Sequence, residues 1–475
     1  MRSNEMVWGI RSRETTRLRA EGGDGVMKRF IAHIVAGILL ASATICCADS
    51  LCRETVAGKE HDGALEEYAK VIASGKSNKD IAAIYNSRGY AEYKKEFCDQ
   101  AIAYYNRAIT LNPKLADAYF NRANAYRDKG LLDIAIDDYT TAIRFAHNNA
   151  NAYNNRGLVY FMKNLYEQAI DDYDTAIRLA PKDVKAYNNR AVAYYKKGLP
   201  ERAMADLNRT IGIDPALANA YFNRAIVYSD KGLYDQAITD YTKALDLDPR
   251  NSNAYNNRGI AYRHKGLYDL AIDDYTKAID LKPKFEIAYN NRGIVYRNEG
   301  LYDKAIADYS KAIELDPRNI NAYTHRGNAY YDKGLYALAE TDYSKAIELD
   351  PGYEYPYLRL LNAAWMRKGD VAVALDRLRQ YEFSVVSVGP MRAVSLYYLG
   401  MGSKNDRAIL ASIASTKDER RRSEMLCEAY FFLGAKYFAD DNRLGAKEYF
   451  SRSIETKAVD CDEYYSSKAM LQRMN

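Results

Sequence analysis

The sequence predicts an all-α protein built from repeated pairs of helices. Apolar residues in most of the chain recur at i, i+3, i+4 and i+7, which is the spacing of an amphipathic helix. A Lys-Gly step and a later proline interrupt this pattern at regular intervals, and they mark turns and helix ends. One tyrosine recurs every 34 residues, at Tyr85, Tyr119, Tyr153, Tyr187, Tyr221, Tyr255, Tyr289, Tyr323 and Tyr357. Each 34-residue repeat is therefore predicted to be a helix–turn–helix.

Eight consecutive repeats follow one template, which is clearest in residues 252–285. We number the positions of each repeat from 1 to 34, so that the recurring tyrosine occupies position 4. The repeats span 82–115, 116–149, 150–183, 184–217, 218–251, 252–285, 286–319 and 320–353. An eroded ninth repeat is expected at 354–387 and a partial N-capping repeat at 49–81. Such atypical ends are expected because they cover a core that would otherwise be exposed.

Four recurring positions give the repeat its family resemblance. Position 4 is Tyr, position 8 is Gly or Ala and position 20 is Ala in all eight repeats. Position 32 is Pro in seven of them, with His147 as the exception. This pattern resembles the tetratricopeptide repeat (TPR). The resemblance implies a right-handed α-solenoid of stacked helix–turn–helix units, whose first helices line a concave surface.

The C-terminal region, residues 388–475, continues the repeat pattern in part. Tyr430, Gly434 and Ala446 restore the spacing for one further TPR-like unit at 427–460. The residues that follow are expected to form a helix that caps the stack. This region weakly resembles the C-terminal part of exported bacterial TPR proteins such as the lipoprotein NlpI.

An apolar segment near the N-terminus predicts export. Lys28 and Arg29 precede sixteen apolar or small residues that end at Ile45, and this is the pattern of a signal peptide. Cleavage is expected near Ala48, with Met27 as the translation start. The segment is short for a membrane span, although an uncleaved N-terminal anchor and a buried helix are the alternatives. We therefore expect an exported protein, periplasmic or associated with the cell envelope of a Gram-negative bacterium.

Composition and motifs argue against several function classes. The formal net charge is only +5 over 475 residues, and charges of both signs alternate along the helical segments, unlike a nucleic-acid-binding stripe. The five histidines form no His-Glu-x-x-His pair, and the chain has no Cys-x-x-Cys or glycine-rich phosphate loop. We therefore expect no catalytic residue, no metal site, no cofactor, no nucleic-acid partner and no small-molecule substrate.

Polar residues of the first helices form the candidate binding site. Helical geometry places positions 2, 5, 6, 9, 12 and 13 away from the buried stripe of positions 4, 7, 8 and 11. Position 6 is asparagine in six consecutive repeats, at Asn121, Asn155, Asn189, Asn223, Asn257 and Asn291. An amide offers both a donor and an acceptor, so a ladder of amides can hold a peptide backbone with little sequence preference.

The TPR part of O-linked N-acetylglucosamine transferases looks similar and binds peptides through such a ladder. By that resemblance, the six asparagines are assigned to peptide binding. The competing interpretation is that asparagine simply suits the fold at this position. Phe120 and Phe222 occupy position 5 in two repeats and are expected to be exposed binding anchors. Burial against the neighbouring repeat is the alternative for both.

Two opposite charges recur together in the repeats. Position 7 is arginine in all eight, from Arg88 to Arg326, and position 23 is aspartate in seven, from Asp138 to Asp342. This pattern predicts an ion pair between the first and second helix of each repeat. Because desolvation offsets the attraction between buried charges, we expect the pair to set register more than to add stability.

Four cysteines follow the expected signal peptide, and an even number in an exported chain favours disulfides. Cys427 and Cys461 lie one repeat apart at matching positions and are the main candidate pair. A disulfide requires Cα atoms within about 7 Å, so the last helix would have to tilt inward. Cys52 with Cys98 is the second candidate pair.

These features favour a non-enzymatic scaffold or adaptor that binds extended segments of partner proteins in the groove of a TPR superhelix. One alternative is an architectural protein that self-associates in the cell envelope. The NlpI resemblance implies a second alternative, an adaptor for envelope proteases and peptidoglycan hydrolases. The sequence leaves open whether the chain's own C-terminal tail occupies the groove.

Overall fold

The computed structural model describes residues 77–353, 355–369, 371–384, 391–399, 406–459 and 461–474. The N-terminal extension and signal peptide predicted in residues 1–48, and nearly all of the partial repeat predicted at 49–81, lie outside these ranges. Every described element is an α-helix, which confirms the predicted all-α solenoid of helix pairs. None of the described helices is long and apolar enough to cross a membrane. The chain divides into an N-terminal part that ends at Ala216 and a C-terminal part that begins at Leu217.

The described residues of the N-terminal part, from 77 onward, form four helix pairs. Its helices are α1 (Asn78–Lys94), α2 (Cys98–Leu111), α3 (Ala116–Asp128), α4 (Leu132–Phe145), α5 (Ala150–Met162), α6 (Tyr166–Leu179), α7 (Val184–Lys196) and α8 (Pro200–Ile213). Each helix packs on its neighbour along the chain, and the first helices of successive repeats also touch. This is the packing expected of stacked helical hairpins.

The C-terminal part begins with four more pairs of the same kind. These are α9 (Ala218–Asp230), α10 (Tyr234–Leu247), α11 (Ser252–His264), α12 (Tyr268–Leu281), α13 (Glu286–Asn298), α14 (Tyr302–Leu315), α15 (Ile320–Lys333) and α16 (Tyr336–Leu349). Seven further helices follow: α17 (Tyr355–Arg367), α18 (Val371–Ser384), α19 (Met391–Tyr398), α20 (Asp406–Ala414), α21 (Glu419–Ala439), α22 (Arg443–Glu455) and α23 (Asp462–Met474).

Local sequence signals set where the helices begin and end. Asn251 caps α11 by accepting a hydrogen bond from the backbone N–H of Ala254 at 3.0 Å, and Asn149 and Asn319 cap α5 and α15 in the same way. A capping side chain satisfies one of the backbone donors left free at a helix start. Gly266 follows α11 with φ of +72°, a left-handed conformation that glycine adopts without strain.

A close approach between the two helices of a repeat explains the small residue at position 8. An ideal Cβ built on Gly259 would lie 2.8 Å from a ring carbon of Tyr275, the fully buried residue at position 24. Gly434 and Phe450 repeat this relationship in the pair α21–α22, at the same 2.8 Å. The hairpin of α21 and α22 is therefore packed as the preceding repeats are, in the region where the sequence restores the TPR spacing.

Candidate functional site

The candidate site is the surface formed by positions 2, 5, 6, 9, 12 and 13 of the first helices, which we call the inner face. It is described separately for the two parts of the chain. In the N-terminal part it lies on α1, α3, α5 and α7. In the C-terminal part it lies on α9, α11, α13, α15 and α17.

Asparagine side chains on the inner face of the N-terminal part bond from one repeat to the next. Asn121 Nδ2 donates to Asn86 Oδ1 of the preceding repeat at 3.0 Å, and Asn189 Nδ2 donates to Asn154 Oδ1 at 3.1 Å. Asn155 Nδ2 donates instead to Asn124 Oδ1 at 2.9 Å. The predicted ladder is therefore a bonded network in which a position-6 amide donates to the preceding repeat, at position 5 for Asn121 and Asn189 and at position 9 for Asn155.

The same network continues within the C-terminal part. Asn291 Nδ2 donates to Asn256 Oδ1 at 2.9 Å, and Asn256 Nδ2 donates to Asn257 Oδ1 at 3.2 Å. His325 replaces asparagine at position 6, and its Nδ1 lies 3.0 Å from Asn290 Oδ1. Asn223 differs from the other five because it is buried, with 5% of its surface exposed. It is therefore poorly placed to contact a ligand directly, contrary to expectation.

The two phenylalanines at position 5 pack against their own repeats. Phe222 is 6% exposed, and the centre of its ring lies 5.9 Å from the centre of the Tyr241 ring. Phe120 is half-buried, and the centre of its ring lies 5.9 Å from the centre of the Tyr139 ring. The prediction of exposed anchors is wrong for Phe222, because the tyrosine at position 24 offers an apolar surface inside the same repeat. Phe120 retains partial exposure.

The predicted ion pair between positions 7 and 23 is present in all seven repeats that carry both residues. In each, the guanidinium Nε and Nη2 donate to the two carboxylate oxygens of the aspartate sixteen residues later, at 2.6–2.8 Å. Bidentate pairing fixes direction as well as distance. These arginines hold the repeat together and do not point to a ligand.

The inner face of the C-terminal part holds the last helix of the chain. Arg297, at position 12, donates to Asp332 Oδ2 at 2.6 Å and to Asp462 Oδ1 of α23 at 2.5 Å. Asn328, at position 9, donates to Asp462 Oδ2 at 2.9 Å. Although burial opposes it, the Arg297 guanidinium holds the pKa of Asp462 below its ordinary value. The start of α23 is therefore fixed to α13 and α15 by charged hydrogen bonds.

A second arginine of the inner face holds the next turn of α23. Arg359, at position 6 of the ninth repeat, is fully buried and donates to Ser466 Oγ at 2.9 Å and to the Tyr355 hydroxyl at 2.8 Å. Its guanidinium lies 4.7 Å from the centre of the Phe431 ring of α21. Ser466 Oγ donates in turn to Asp332 Oδ1 at 2.7 Å. Helices α21 and α23 thus share one polar centre with the repeats.

Contacts at the two ends of α23 extend over several repeats. The hydroxyls of Tyr465 and Tyr268 lie 2.6 Å apart. At the other end, Arg473 donates to the backbone carbonyl of Tyr331 at 3.0 Å and to the hydroxyl of Tyr336 at 2.5 Å. The expected capping helix therefore exists, but it lies on the inner face. The structure bears on the question that the sequence left open, because in this part the chain's own tail contacts the inner face.

Sequence reasoning missed this arrangement because its contacts follow no repeat period. Arg297 and Asp462 are 165 residues apart. One weak signal was available, since Asn328 is polar at position 9, where Ile260 and Ile294 are aliphatic in the two preceding repeats. A polar residue that breaks an aliphatic position marks a place where another polar group approaches.

The structure does not contain the predicted disulfide between Cys427 and Cys461. Both residues are free thiols. The two residues do pack together in a buried cluster with Ala458. Cys98 is also a free thiol, and Cys52 lies outside the described residues.

Comparisons with known families identify the repeat. Models described as TPR repeat or tetratricopeptide repeat match residues 89–130, 123–164, 150–183, 172–205, 222–284, 295–334 and 320–353. A search of curated proteins finds no match to the chain.

Solved structures similar to parts of this chain include two that are described as TPR proteins. YrrB, a TPR protein with an unusual peptide-binding site, is 26% identical over 39% of this chain and 95% of its own, with a TM-score of 0.32. A TPR protein from Parabacteroides merdae is 23% identical over 52% of this chain and 97% of its own, with a TM-score of 0.42. The Cut9–Hcn1 complex of the APC/C is 16% identical over 64% of this chain and 60% of its own, with a TM-score of 0.46.

Proposed function

The chain is a tetratricopeptide-repeat protein that serves as a protein–protein interaction scaffold, and we propose that the inner face of its N-terminal part binds an extended segment of a partner polypeptide. The asparagine network contacts the partner's backbone in this proposal, and no chemical step takes place. The partner is therefore recognised more by its extended conformation than by one particular side chain.

The binding of α23 within the C-terminal part is the observation that carries this proposal. Most residues that hold the first turns of α23 occupy positions 6, 9, 12 and 13, all of which belong to the inner face. Arg297, Asn328 and Arg359 supply hydrogen bonds to it at 2.5–3.1 Å. The inner face of one part of this chain thus already holds a polypeptide segment through its polar side chains.

The inner face of the N-terminal part offers similar groups to a partner. Asn121 and Asn189 each donate one hydrogen bond to a neighbouring amide. A side-chain amide has two N–H groups and a carbonyl, so one N–H and the carbonyl of each remain available for a peptide backbone. Met162 at position 13 is 46% exposed and supplies an apolar contact beside them. Flexible methionine surfaces adapt to varied partner side chains.

The cellular location is part of the same proposal. The apolar segment that ends at Ile45, preceded by Lys28 and Arg29, supports export to the periplasm or cell envelope. An extended segment of another envelope protein is the partner that such a location favours. An adaptor for envelope proteases or peptidoglycan hydrolases is one form that this function would take.

The experiment selects binding peptides from a displayed random library on the purified full-length protein and then measures their dissociation constants by calorimetry. The test variant changes Asn121, Asn155 and Asn189 to alanine together. Because each amide contributes about 1 kcal/mol of hydrogen bonding, binding should weaken about 100-fold. Circular dichroism establishes that the variant retains its helices.

The matched control is Asn148→Ala, at an exposed position between α4 and α5. It should bind the selected peptides as tightly as the unchanged protein does. Equal binding by the folded triple variant would contradict the role of the asparagine network. Failure to select any peptide, together with concentration-dependent self-association in size-exclusion chromatography, would favour the architectural alternative.

A further inference from the structure

A buried cluster of thiols and carboxylates lies where α23 begins. It joins Glu428 of α21 to Cys461 and Glu463, and one potential ligand atom from each of the three lies within 4.8 Å of the others. The Cys461 thiol donates to Glu463 Oε2 at 3.2 Å. Cys427, one residue before Glu428, packs against Cys461 in the same cluster. One thiol and two carboxylates therefore converge from α21 and the start of α23, with the Cys427 thiol packed beside them.

These groups repel one another when they are ionised, because each then carries a negative charge. Glu463 is 1% exposed, and its Oε1 has no hydrogen-bond partner among the described residues. The Arg359 Nε lies 3.5 Å from that oxygen and compensates one negative charge. Burial, followed by the charge of Glu463, raises the pKa of Glu428 well above its ordinary value. Burial also raises the pKa of the Cys461 thiol. A bound cation would offset the negative charges that these three groups bring together.

We propose that Glu428, Cys461 and Glu463 bind a Zn²⁺ ion; Cys427 packs beside Cys461, but its thiol lies outside the group of three whose ligand atoms are within 4.8 Å of one another. Thiolates favour zinc over magnesium and calcium, and zinc also accepts carboxylate oxygens. Bonds of about 2.3 Å to sulfur and about 2.0 Å to oxygen place tetrahedral ligand atoms about 3.5 Å apart. The 3.2 Å between Cys461 Sγ and Glu463 Oε2 is close to this separation.

The second ligand shell fits the same assignment. Arg359 approaches Glu463 Oε1, as an outer partner that orients a ligating carboxylate does. Ser453 Oγ lies 3.3 Å from Cys427 Sγ and donates to the Cys427 carbonyl at 3.0 Å. Arg359 thus holds Glu463 in place, and Ser453 holds Cys427 in place beside the cluster.

The position of the cluster gives the ion a structural role. Asp462 stands between the ligands Cys461 and Glu463, and it is the residue that pairs with Arg297 on the inner face. An ion shared by α21 and the start of α23 would fasten the turn that carries this contact. Zinc would therefore strengthen the attachment of the tail to the inner face, independently of any partner bound by the N-terminal part.

The test measures the metal content of the full-length protein, purified with its thiols reduced and then dialysed against Zn²⁺ and against metal-free buffer. Elemental analysis should find about one Zn²⁺ per chain. A strong chelator should remove it and lower the melting temperature, and added Zn²⁺ should restore both. The variants Cys461→Ser and Glu428→Gln should each retain less than about a tenth of an equivalent.

Two features keep the test decisive. Glu428 is only partly buried, so Glu428→Gln should fold even if Cys461→Ser does not. Cys98→Ser removes a free thiol in the N-terminal part and should bind zinc as the unchanged protein does. Zinc retention by both folded ligand variants would overturn the assignment. So would thiol titration that finds Cys427 and Cys461 joined as a disulfide, since a disulfide provides no thiolate.

Discussion

Arg258 and Asp274 join the two helices of one repeat as a bidentate pair, with Nε–Oδ2 and Nη2–Oδ1 distances of 2.8 Å. The same guanidinium donates a third hydrogen bond to Thr242 Oγ1 of the preceding repeat at 3.0 Å. It also lies over the rings of Tyr255 and Tyr262, at positions 4 and 11. One side chain thus connects three helices, and the equivalent arginines repeat this connection along each part of the chain.

The arginine–aspartate pair gives the first prediction. Arg258→Leu leaves the buried Asp274 carboxylate without its partner and should lower the unfolding free energy by about 3 kcal/mol. Arg258→Glu places two carboxylates together and should destabilise more. The double variant Arg258→Leu/Asp274→Leu removes both charges and should recover most of the loss. Urea unfolding followed by circular dichroism measures all three, and a double variant less stable than Arg258→Leu would contradict this view of the pair.

The glycine at position 8 gives a second prediction. A methyl group at Gly259 meets the Tyr275 ring, but alanine also raises helix propensity by about 1 kcal/mol. Gly259→Ala should therefore stay within about 1 kcal/mol of the unchanged protein, as Ala225 occupies the same position in another repeat. Gly259→Leu should lose about 3 kcal/mol through overpacking. Thermal melts of the two variants test this prediction. Equal melting temperatures would show that the space between position 259 and the Tyr275 ring is not tight.

Attachment of the tail gives a third prediction. Arg297→Ala leaves Asp332 and Asp462 without their shared cation, and it should lower stability by about 3–5 kcal/mol. Arg127→Ala removes a buried arginine at the same position of a repeat in the N-terminal part, where it donates to Asp128, and is the matched control. Hydrogen exchange of the α23 amides should accelerate strongly in the first variant and little in the second. Similar exchange in both would mean that Arg297 does not hold the tail.

These elements differ in how far the sequence could predict them. The ion pairs and the contact between positions 8 and 24 recur every 34 residues, so Arg258 and Gly259 could be interpreted from the template alone. The burial of Phe222 could not be predicted in this way, because it depends on how its ring packs against Tyr241 of the same repeat. The contact between Arg297 and Asp462 escaped prediction because it joins distant segments only once.

Histidine at position 6 gives a fourth prediction, which concerns pH. Burial lowers the pKa of His325, with Arg297 and Arg263 acting in the same direction and Asp462 in the opposite one. The unfolded chain therefore takes up a proton near pH 6.5 before the folded chain does. The stability from neutral His325 is complete above that pH and is lost as the pH falls.

The variant His325→Asn restores the asparagine of the other repeats and removes this titration. Between pH 7.5 and 5, the unchanged protein should lose more stability than the variant, by at most about 1.4 kcal/mol for each pH unit below 6.5. Urea unfolding at a series of pH values provides the comparison. Parallel pH profiles would show that His325 ionises equally in both states.

Photo-cross-linking tests the central claim most directly, namely that the inner face of the N-terminal part binds polypeptide. A photo-reactive amino acid replaces Met162 on the inner face of α5 or, as the control, the exposed Asp171 on the second helix α6. A selected peptide is added, and the products are located by mass spectrometry. The account predicts cross-links from position 162 and few from position 171. Cross-links from position 171 alone would place the binding surface elsewhere and contradict the account.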